Sequence, residues 1–389
     1  MPRSIDAPQS PLVSVPAPNV LQICLSKSWG GLEMYPAQLA AALVRQGCQV
    51  HGAALEGTAV ADSFKKAGLS HLTFGSQWRA LLTVKKTLAY IRQHQITVIH
   101  AHKSGDMRLA ALLVQLAPDL KLFFTDHMGV SMSKKDWLHR WMYSKVTRLF
   151  SISRATHARN LNAFPLPAER ITMLYNGIDL RPYQPPSSLE HRQEVRRITL
   201  KVPVDGLLLG IPGRINRGKG QIQWVQALAV LVKLPLTVQW HAVIVGEATG
   251  EDALEGGYKA QLIERIEALG LTSRVTLAGF QSEMAQCLQA IDIAAIASHN
   301  EAFGLSVIEA MAAGCAVVGA NSGAIPELIK ADVGLLVNPD DSQAFADALA
   351  ALMQDDERRH GLGHRAREHA LQNFGMDAYV TRLLEYYRA

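Results

Sequence analysis

The fold follows from the stretch Ile291-Asp-Ile-Ala-Ala-Ile-Ala-Ser-His-Asn-Glu-Ala-Phe-Gly-Leu-Ser-Val-Ile-Glu-Ala-Met-Ala312. Its first part, Ile291–Ala297, is apolar almost throughout, which is typical of a strand buried on both faces of a parallel sheet. After Gly304, apolar residues recur at helical spacing, namely Leu305, Ile308, Met311 and Ala312. The stretch therefore predicts a strand, a loop and a helix, the repeating unit of an α/β fold with parallel strands.

Two glutamates, Glu301 and Glu309, stand eight residues apart around the start of the predicted helix. Glu301 is expected in the loop above the helix N-terminus, and Glu309 in the second turn. The free N–H groups of a helix start suit a phosphate, and carboxylates accept hydrogen bonds from sugar hydroxyls. Two interpretations are open at this point: a site for a ligand with phosphate and sugar, or acidic side chains that only complement the helix dipole.

Strand-like and helix-like segments alternate along the whole chain, as they do in α/β folds. At 389 residues the chain is too long for one ordinary core, so we expect two domains. Each half opens with a strand, a glycine-containing loop and a helix, the loops being 28–33 and 213–220. We predict two doubly wound, Rossmann-like domains facing a cleft, since ligands bind such sheets at the carboxyl ends of their strands. The Pro- and Ser-containing segment 183–204 is the expected linker.

Composition narrows the class of protein further. Hydrophobic residues make up 48% of the chain and charged residues 19%, which describes a globular protein. No apolar run is long enough to span a bilayer. Residues 1–19 are rich in Pro, Ser and Ala without the apolar core of a signal peptide, so we expect a flexible tail and a cytoplasmic protein. The four cysteines form no CxxC pair, which favours buried thiols in a reducing compartment.

The pattern Gly213-x4-Gly218-Lys219 nearly matches a phosphate-binding P-loop, but Gly220 replaces the Ser or Thr that would bind Mg²⁺. Backbone N–H groups, Arg214 and Lys219 can still hold a diphosphate, because Arg and Lys are the usual phosphate partners. Taken alone, the loop is equally compatible with a Gly-rich turn whose basic side chains are solvated.

Metal ligands are not evident in the sequence. No Asp-x-Asp occurs, and no His/Cys cluster has metal-ligand spacing. A metal-dependent sugar transferase normally needs such carboxylates to hold Mg²⁺ or Mn²⁺ at the diphosphate. If the protein breaks a phosphate–sugar bond, Arg214 and Lys219 are the cations available for the leaving group. We therefore expect neither a metal nor another cofactor.

Together these residues resemble glycosyltransferase family 4, the retaining nucleotide-sugar glycosyltransferases with the GT-B fold. The resemblance runs from about residue 20 to the C-terminus and is most specific in the second half. The matching segments are 30–33, 176–179, 213–220, 245–246, 278–280 and 301–314. The resemblance implies an acceptor-binding domain at 20–182, a nucleotide-sugar donor domain at 183–374, and a last helix, about 375–389, that crosses back to the first domain.

The resemblance also implies four catalytic residues. Arg214 and Lys219 correspond to the pair that stabilises the diphosphate leaving group. Glu301 corresponds to the acidic residue placed near the transferred sugar. His127 lies where the family often has a histidine near the donor sugar, although it could equally be a satisfied polar group at a strand end.

Further residues correspond to the donor site of the family. Glu309 matches the residue that hydrogen-bonds the donor ribose, and Gly213 opens the phosphate loop. Gly31 matches the first-domain glycine that approaches the phosphate and the acceptor. Backbone N–H groups are expected from Phe303, Gly304 and Leu305.

Charge is distributed unevenly between the two halves. Residues 1–182 contain 21 Lys and Arg against 10 Asp and Glu, whereas residues 183–389 contain 18 against 24. The segment 131–145 mixes cations and aromatic residues at helical spacing, with Lys134, Lys135, Trp137, Arg140 and Trp141 as the expected membrane or acceptor contacts. This pattern is typical of an interfacial amphipathic helix, or of a helix packed on the sheet with solvated cations. No nucleic-acid recognition motif accompanies the charge, so nucleic acid is not an expected partner.

The function predicted from these observations is sugar transfer from a nucleoside-diphosphate sugar. The expected acceptor is an anionic glycolipid or a phosphorylated glycan, as in the synthesis of lipopolysaccharide or another surface polysaccharide. The enzyme would then be a peripheral protein on the inner face of the cytoplasmic membrane. Two alternatives are a nucleotide-sugar epimerase of the same architecture and a non-catalytic nucleotide-sugar-binding protein.

Overall fold

A computed structural model describes residues 17–130 and 132–389, so the tail predicted for residues 1–19 lies almost wholly outside the described residues. The chain forms two sheets in which every pair of neighbouring strands is parallel. The first sheet contains β1 (Val20–Cys24), β2 (Val50–Leu55), β3 (His71–Phe74), β4 (Val98–Ala101), β5 (Lys121–Asp126), β6 (Arg148–Ser151) and β7 (Ile171–Met173). The second contains β8 (Leu207–Pro212), β9 (Trp240–Val245), β10 (Val275–Gly279), β11 (Ile293–Ile296), β12 (Ala316–Ala320) and β13 (Leu335–Val337).

Helices connect these strands and cover both sheets. In the first half they are α1 (Gly31–Arg45), α2 (Ala59–Lys66), α3 (Gln77–Leu82), α4 (Val84–Gln93), α5 (Met107–Leu116), α6 (Trp137–Ser144) and α7 (Arg154–Ala163). In the second half they are α8 (Leu189–Glu194), α9 (Gln221–Leu231), α10 (Tyr258–Ala268), α11 (Met284–Ala290), α12 (Leu305–Ala312), α13 (Ile325–Leu328), α14 (Ser342–Gln354), α15 (Asp356–Phe374) and α16 (Met376–Arg388).

Both sheets reverse their strand order at the first strand of the domain. The orders are β3-β2-β1-β4-β5-β6-β7 and β10-β9-β8-β11-β12-β13. The crevice of a doubly wound sheet opens at this reversal, outside the carboxyl ends of the strands. The loops after β1 and β4 therefore line one wall of the cleft, and those after β8 and β11 the other. The two doubly wound domains predicted from the sequence are confirmed.

Strand burial explains which strands the apolar pattern revealed. The residues of β11 and β12 are all buried, as expected for strands covered on both faces. The edge strands β3 and β7 have only four and three residues, most of them partly exposed, and the sequence analysis missed both. Edge strands need not be apolar on both faces, so the continuous apolar run that marks the central strands is absent there.

The last helix joins the two domains. α15 packs against the second domain, and the chain then crosses at Gly375, which pairs with Ile178. Gly177 allows this crossing, because a Cβ there would lie 2.5 Å from Cβ of Tyr379. α16 buries Tyr379 and Leu383 in the first-domain core beside α1, as the sequence predicted.

The segment 183–204, expected to be the linker, is partly helical. It contains α8 and a π-helical turn, Val195–Leu200, which pack on the second domain. Arg196 anchors this turn through a 2.6 Å ion pair with the buried Asp292. Among the residues that the structure describes, no helix combines the length and the apolarity required to cross a membrane.

Candidate active site

The loop after β8 carries the two cations predicted to bind phosphate. Gly213 follows the strand, and one 3₁₀ turn spans Arg217–Lys219 before α9 begins. Gly220 has a φ of 70°, and a Cβ there would lie 2.1 Å from the carbonyl oxygen of Ala297. Only glycine permits this approach. It seats the phosphate loop directly against the end of β11.

Lys219 and Glu301 form an ion pair at this point. The distance between Nζ of Lys219 and Oε2 of Glu301 is 2.6 Å. The two side chains keep 26% and 18% of their surface exposed, so a ligand can reach both. Such charge-assisted bonds are short and strong, but each partner can exchange the other for a ligand group. The pair therefore presents one cation and one carboxylate to the cleft.

Glu309 lies on α12 beneath this pair. Its Oε1 accepts a 2.9 Å hydrogen bond from the hydroxyl of Tyr183. Burial raises the pKa of Glu309, while the bond from Tyr183 and the charge of Lys219 act in the opposite direction. Lys219 thus influences both glutamates. The sequence analysis missed Tyr183, because one tyrosine in a Pro-containing segment carries no recognisable signal.

The helix α12 begins with glycine in a left-handed conformation. Gly304, its N-cap, has a φ of 103°, which turns the chain sharply from the loop into the helix. Phe303 is buried, and its ring packs against Tyr175 and Phe374 with centroid distances of 6.0 and 6.3 Å. Only the backbone of Phe303 can therefore serve a ligand, which is the role that the family resemblance implies. The initial N–H groups of any helix lack intrahelical acceptors.

Residues of the two domains meet across the cleft. Arg214 donates a 3.1 Å hydrogen bond from Nη2 to the carbonyl oxygen of Trp29 in the loop after β1. A Cβ at Gly31, the first residue of α1, would lie 3.1 Å from Cδ1 of Leu305. The predicted donor-site residues of both domains are therefore gathered in one cleft, around Lys219 and the start of α12.

His127 belongs to a chain of buried polar groups behind the cleft wall. Its Nε2 lies 3.0 Å from Nδ1 of His102, and its Nδ1 lies 3.2 Å from Nδ2 of Asn176. His102 in turn reaches Oε1 of Gln22 at 2.5 Å. That oxygen only accepts, so His102 donates to it. With both histidines neutral, His127 donates to His102 and Asn176 donates to His127, and every ring nitrogen then has a partner.

Electrostatics support the neutral form of His127. Burial lowers the pKa of His127 to about 3, and it also lowers that of His102 well below its ordinary value. His127 as a whole is 8% exposed, and both ring nitrogens are engaged in hydrogen bonds. A contact of His127 with the donor sugar stays a prediction, and only a ring edge or the backbone is free to make it.

A second polar cluster lies at the first-domain wall and was not predicted. Lys103 donates from Nζ to the hydroxyl of Ser26 at 2.7 Å and lies 3.4 Å from Oε1 of Glu33. Ser26 donates to the same oxygen at 2.9 Å. Glu33 is buried in the first turn of α1, whereas Lys103 is about one-third exposed. Only Glu33 had a sequence signal, as the end of the segment 30–33.

The helix predicted to lie in a membrane surface is α6. Leu138 and Trp141 pack against the first-domain core and Met142 is buried, so most of the predicted apolar face is covered by protein. Trp137 is 80% exposed. The cations Lys134, Lys135 and Arg140 lie beside it, partly or fully exposed. A membrane or acceptor contact here stays a prediction, and Trp137 is the most exposed of these apolar residues.

No metal-binding arrangement is found in the described part of the chain. Within residues 17–130 and 132–389, no group of three or more His, Cys, Asp or Glu side chains could hold a metal ion. The expectation that no metal or cofactor takes part stays a prediction.

Solved structures identify the class of protein to which this fold belongs. A glycosyltransferase from Rickettsia africae superposes with a TM-score of 0.83 at 20% identity, covering 95% of this chain and 98% of that one. Anabaena HepE in complex with UDP superposes with a TM-score of 0.81 at 23% identity, covering 94% and 98%. The fold is that of the GT-B glycosyltransferases.

Family models give the more specific assignment. The model described as Glycosyltransferase Family 4 matches residues 29–181, and the model Glycosyl transferases group 1 matches residues 193–369. The chain belongs to glycosyltransferase family 4.

Two curated relatives show how far the similarity extends. Lipopolysaccharide core biosynthesis mannosyltransferase LpsB from Rhizobium meliloti is 27% identical over 301 residues, which are 75% of this chain and 79% of that protein. D-inositol 3-phosphate glycosyltransferase from Corynebacterium efficiens is 32% identical over 222 residues, or 56% of this chain. That alignment spans about half, 51%, of the Corynebacterium protein.

Proposed function

We propose that the protein is a retaining, metal-independent glycosyltransferase that moves a sugar from a nucleoside-diphosphate sugar to a lipid-linked or phosphorylated glycan. The observation that carries this proposal is the 2.6 Å pair of Lys219 and Glu301 beside Glu309 at the start of one helix in the cleft. A diphosphate needs cations, and a sugar and a ribose need carboxylate acceptors. The three side chains supply both kinds of group within one site.

These contacts support one arrangement of the donor. Its diphosphate takes Lys219 and Arg214, whose partners within the protein are Glu301 and the carbonyl oxygen of Trp29. Glu301, released from Lys219, accepts hydrogen bonds from the transferred sugar. Glu309 accepts them from the ribose. Each of these bonds within the protein is thus exchanged for a bond to the donor, and both cations then face the charged diphosphate.

The bond-breaking step depends on charge. As the bond between the anomeric carbon and the diphosphate oxygen breaks, the phosphate gains negative charge and the sugar becomes oxocarbenium-like. Preorganised cations at the phosphate stabilise that transition state directly, without reorganisation during the reaction. The acceptor hydroxyl attacks from the face of the leaving group, its proton passes to the departing phosphate, and the anomeric configuration is retained. No side chain acts as a nucleophile in this scheme.

The acceptor class is supported by charge and by relatives. The first half of the chain, which faces the donor domain across the cleft, has 21 basic against 10 acidic residues. A basic surface attracts anionic acceptors and anionic lipid. The relative LpsB is named for lipopolysaccharide core biosynthesis. We propose an anionic glycolipid acceptor at the inner face of the cytoplasmic membrane, with Trp137 and its neighbouring cations as the contact.

The proposal is tested by supplying UDP-, GDP- and ADP-sugars and measuring nucleoside-diphosphate release with and without a glycolipid acceptor fraction. Acceptor-dependent release from one nucleotide class, with an α-linked product from an α-linked donor by NMR, is the expected result. The assay should proceed in excess EDTA. An inverted product would contradict the retaining mechanism, and complete loss of turnover in EDTA would contradict metal independence.

The same assay separates the two alternatives. An epimerase would change the configuration of the sugar without an acceptor, and the product would be visible by NMR. A non-catalytic binding protein would be stabilised against heat by one nucleotide sugar but would release no nucleoside diphosphate.

A further inference from the structure

The first turn of α7 is completed by a residue from the other domain. Four N–H groups at a helix start lack intrahelical acceptors. In α7, the N–H of Ser153 donates to Oγ1 of Thr156 at 2.9 Å, and the N–H of Thr156 donates to Oγ of Ser153 at 3.0 Å. The other two, from Arg154 and Ala155, donate to Oε2 and Oε1 of Glu327 at 2.7 and 2.9 Å.

Glu327 therefore binds the first domain with both carboxylate oxygens, although it belongs to α13 of the second domain. Its Oε2 also accepts a 3.1 Å hydrogen bond from the hydroxyl of Tyr175 in the first domain. A carboxylate at a helix N-terminus gains from charge-assisted bonds and from the helix dipole together. Separation of the domains would return the carboxylate and both amides to water.

The loop that carries Glu301 is held by the same junction. Ser153 donates a 2.8 Å hydrogen bond to the carbonyl oxygen of Ala302, and the N–H of Ala324 donates a 2.9 Å bond to the carbonyl oxygen of Glu301. Gly323 packs so closely that a Cβ would lie 2.5 Å from both backbone N and O of Glu301. The loop that carries Glu301 is thus fixed between α7 of the first domain and the start of α13 of the second.

We infer that Glu327 is a positioning residue, which couples the contact between the two domains to the placement of the Glu301 loop. Its hydrogen bonds go to α7 and Tyr175, and it acts through them. The inference rests on the proposed function, because it assigns Glu301 to the transferred sugar.

The test uses the full-length protein with Glu327→Gln, which keeps the size of the side chain but removes its charge and one acceptor oxygen. Hydrogen–deuterium exchange should become faster in peptides covering 150–160 and 298–306. The kcat/KM for sugar transfer should fall about tenfold, the lower range expected for losing charge-assisted bonds. UDP and GDP serve as probe ligands. Their affinity should change less than twofold, because the substitution leaves the residues expected to bind the nucleotide unchanged.

Glu267→Gln is the matched control, since Glu267 is an exposed residue of α10 in the same domain. It should leave exchange and turnover unchanged. Tyr175→Phe removes one hydrogen bond to Glu327 without changing the charge. It should change hydrogen–deuterium exchange and kcat/KM in the same direction as Glu327→Gln, but to a smaller extent. If Glu327→Gln fails to fold, Tyr175→Phe tests the inference in its place.

Unchanged exchange at 150–160 in Glu327→Gln would overturn the inference, as would a loss of nucleotide affinity equal to the loss of turnover. If the wild-type protein transfers no sugar from any donor, the proposed function fails. The exchange measurements still decide whether Glu327 joins the domains.

Discussion

Nζ of Lys219 lies 2.6 Å from Oε2 of Glu301, although the two residues are 82 positions apart in the chain. Their loops follow β8 and β11, which are neighbours in the sheet. The carboxyl ends of adjacent parallel strands lie at the same sheet edge, so topology alone brings the loops together. Gly220 then lets the backbone of the phosphate loop approach Ala297 closely enough for the side chains to meet. A cation and a carboxylate thus occupy the centre of the cleft.

Lys219→Ala should reduce sugar transfer by about 10²–10³-fold, the usual effect of losing one preorganised electrostatic contact with the transition state. The fold should persist, because partly exposed ion pairs contribute little to stability. Turnover and the thermal unfolding midpoint would be measured together. Lys233→Ala, at an exposed lysine of the same domain, is the control. Turnover of Lys219→Ala within threefold of wild type would refute the assignment.

Gly31→Val should reduce kcat/KM by about ten- to hundredfold, since small misplacements of reacting groups have effects of this size. Even a single Cβ at Gly31 would lie 3.1 Å from Cδ1 of Leu305 across the cleft. Leu305→Ala in the same chain should restore part of the activity by removing that atom while keeping the backbone N–H. Failure of the double variant to exceed Gly31→Val in a transfer assay would argue against contact across the cleft.

The buried histidines should make the protein sensitive to acid. Burial lowers the pKa of His100 and His127 to about 3, whereas the unfolded chain protonates near its ordinary value of about 6.5. The unfolded state therefore binds more protons below that value, and stability is lost as the pH falls from about 6.5 towards 3. Each such histidine contributes a slope of about 1.4 kcal/mol per pH unit to the free energy of unfolding.

His100 offers a check away from the cleft, since it is fully buried against Thr125 and Tyr387. In urea unfolding between pH 6 and 4, His100→Gln should show a slope smaller by about 1.4 kcal/mol per pH unit than wild type. His360→Gln, at an exposed histidine of α15, should not change the slope. Equal slopes for wild type and His100→Gln would show that His100 titrates alike in both states.

Trp137→Ala should weaken binding to phosphatidylglycerol-containing vesicles, because the indole is 80% exposed beside Lys134 and Lys135. The double change Lys134→Ala and Lys135→Ala should weaken it further and reduce its dependence on salt. Lys65→Ala with Lys66→Ala removes the same charge from α2 and is the control. Vesicle co-sedimentation at two salt concentrations measures the effect. If both double variants lose vesicle binding equally, the net charge of the protein drives binding and this surface does not.

Local patterns were sufficient for the fold and for part of the site. The apolar run of β11, the helical spacing after Gly304 and the glycine loop before α9 each mark one element, and a parallel α/β topology restricts how such elements combine. Ligands bind such sheets at the loops that follow the carboxyl ends of the strands. Lys219 and Glu301 both lie in loops of this kind, so the sequence was enough to expect them in one cleft. The short edge strands β3 and β7 escaped prediction, since neither forms a continuous apolar run.

The sequence by itself determined two doubly wound domains, a basic and an acidic half, the glycine-containing loop of Arg214 and Lys219, and the helix start flanked by Glu301 and Glu309, because periodicity and glycine placement are local properties. Tertiary structure alone decided that Tyr183 bonds Glu309 and that Glu327 completes the first turn of α7. It also decided that Trp141 packs on the core while Trp137 stays in solvent. Such partners are far apart in the chain, and the same residue pattern is compatible with either environment. Only the packing of whole elements against each other selects which groups meet.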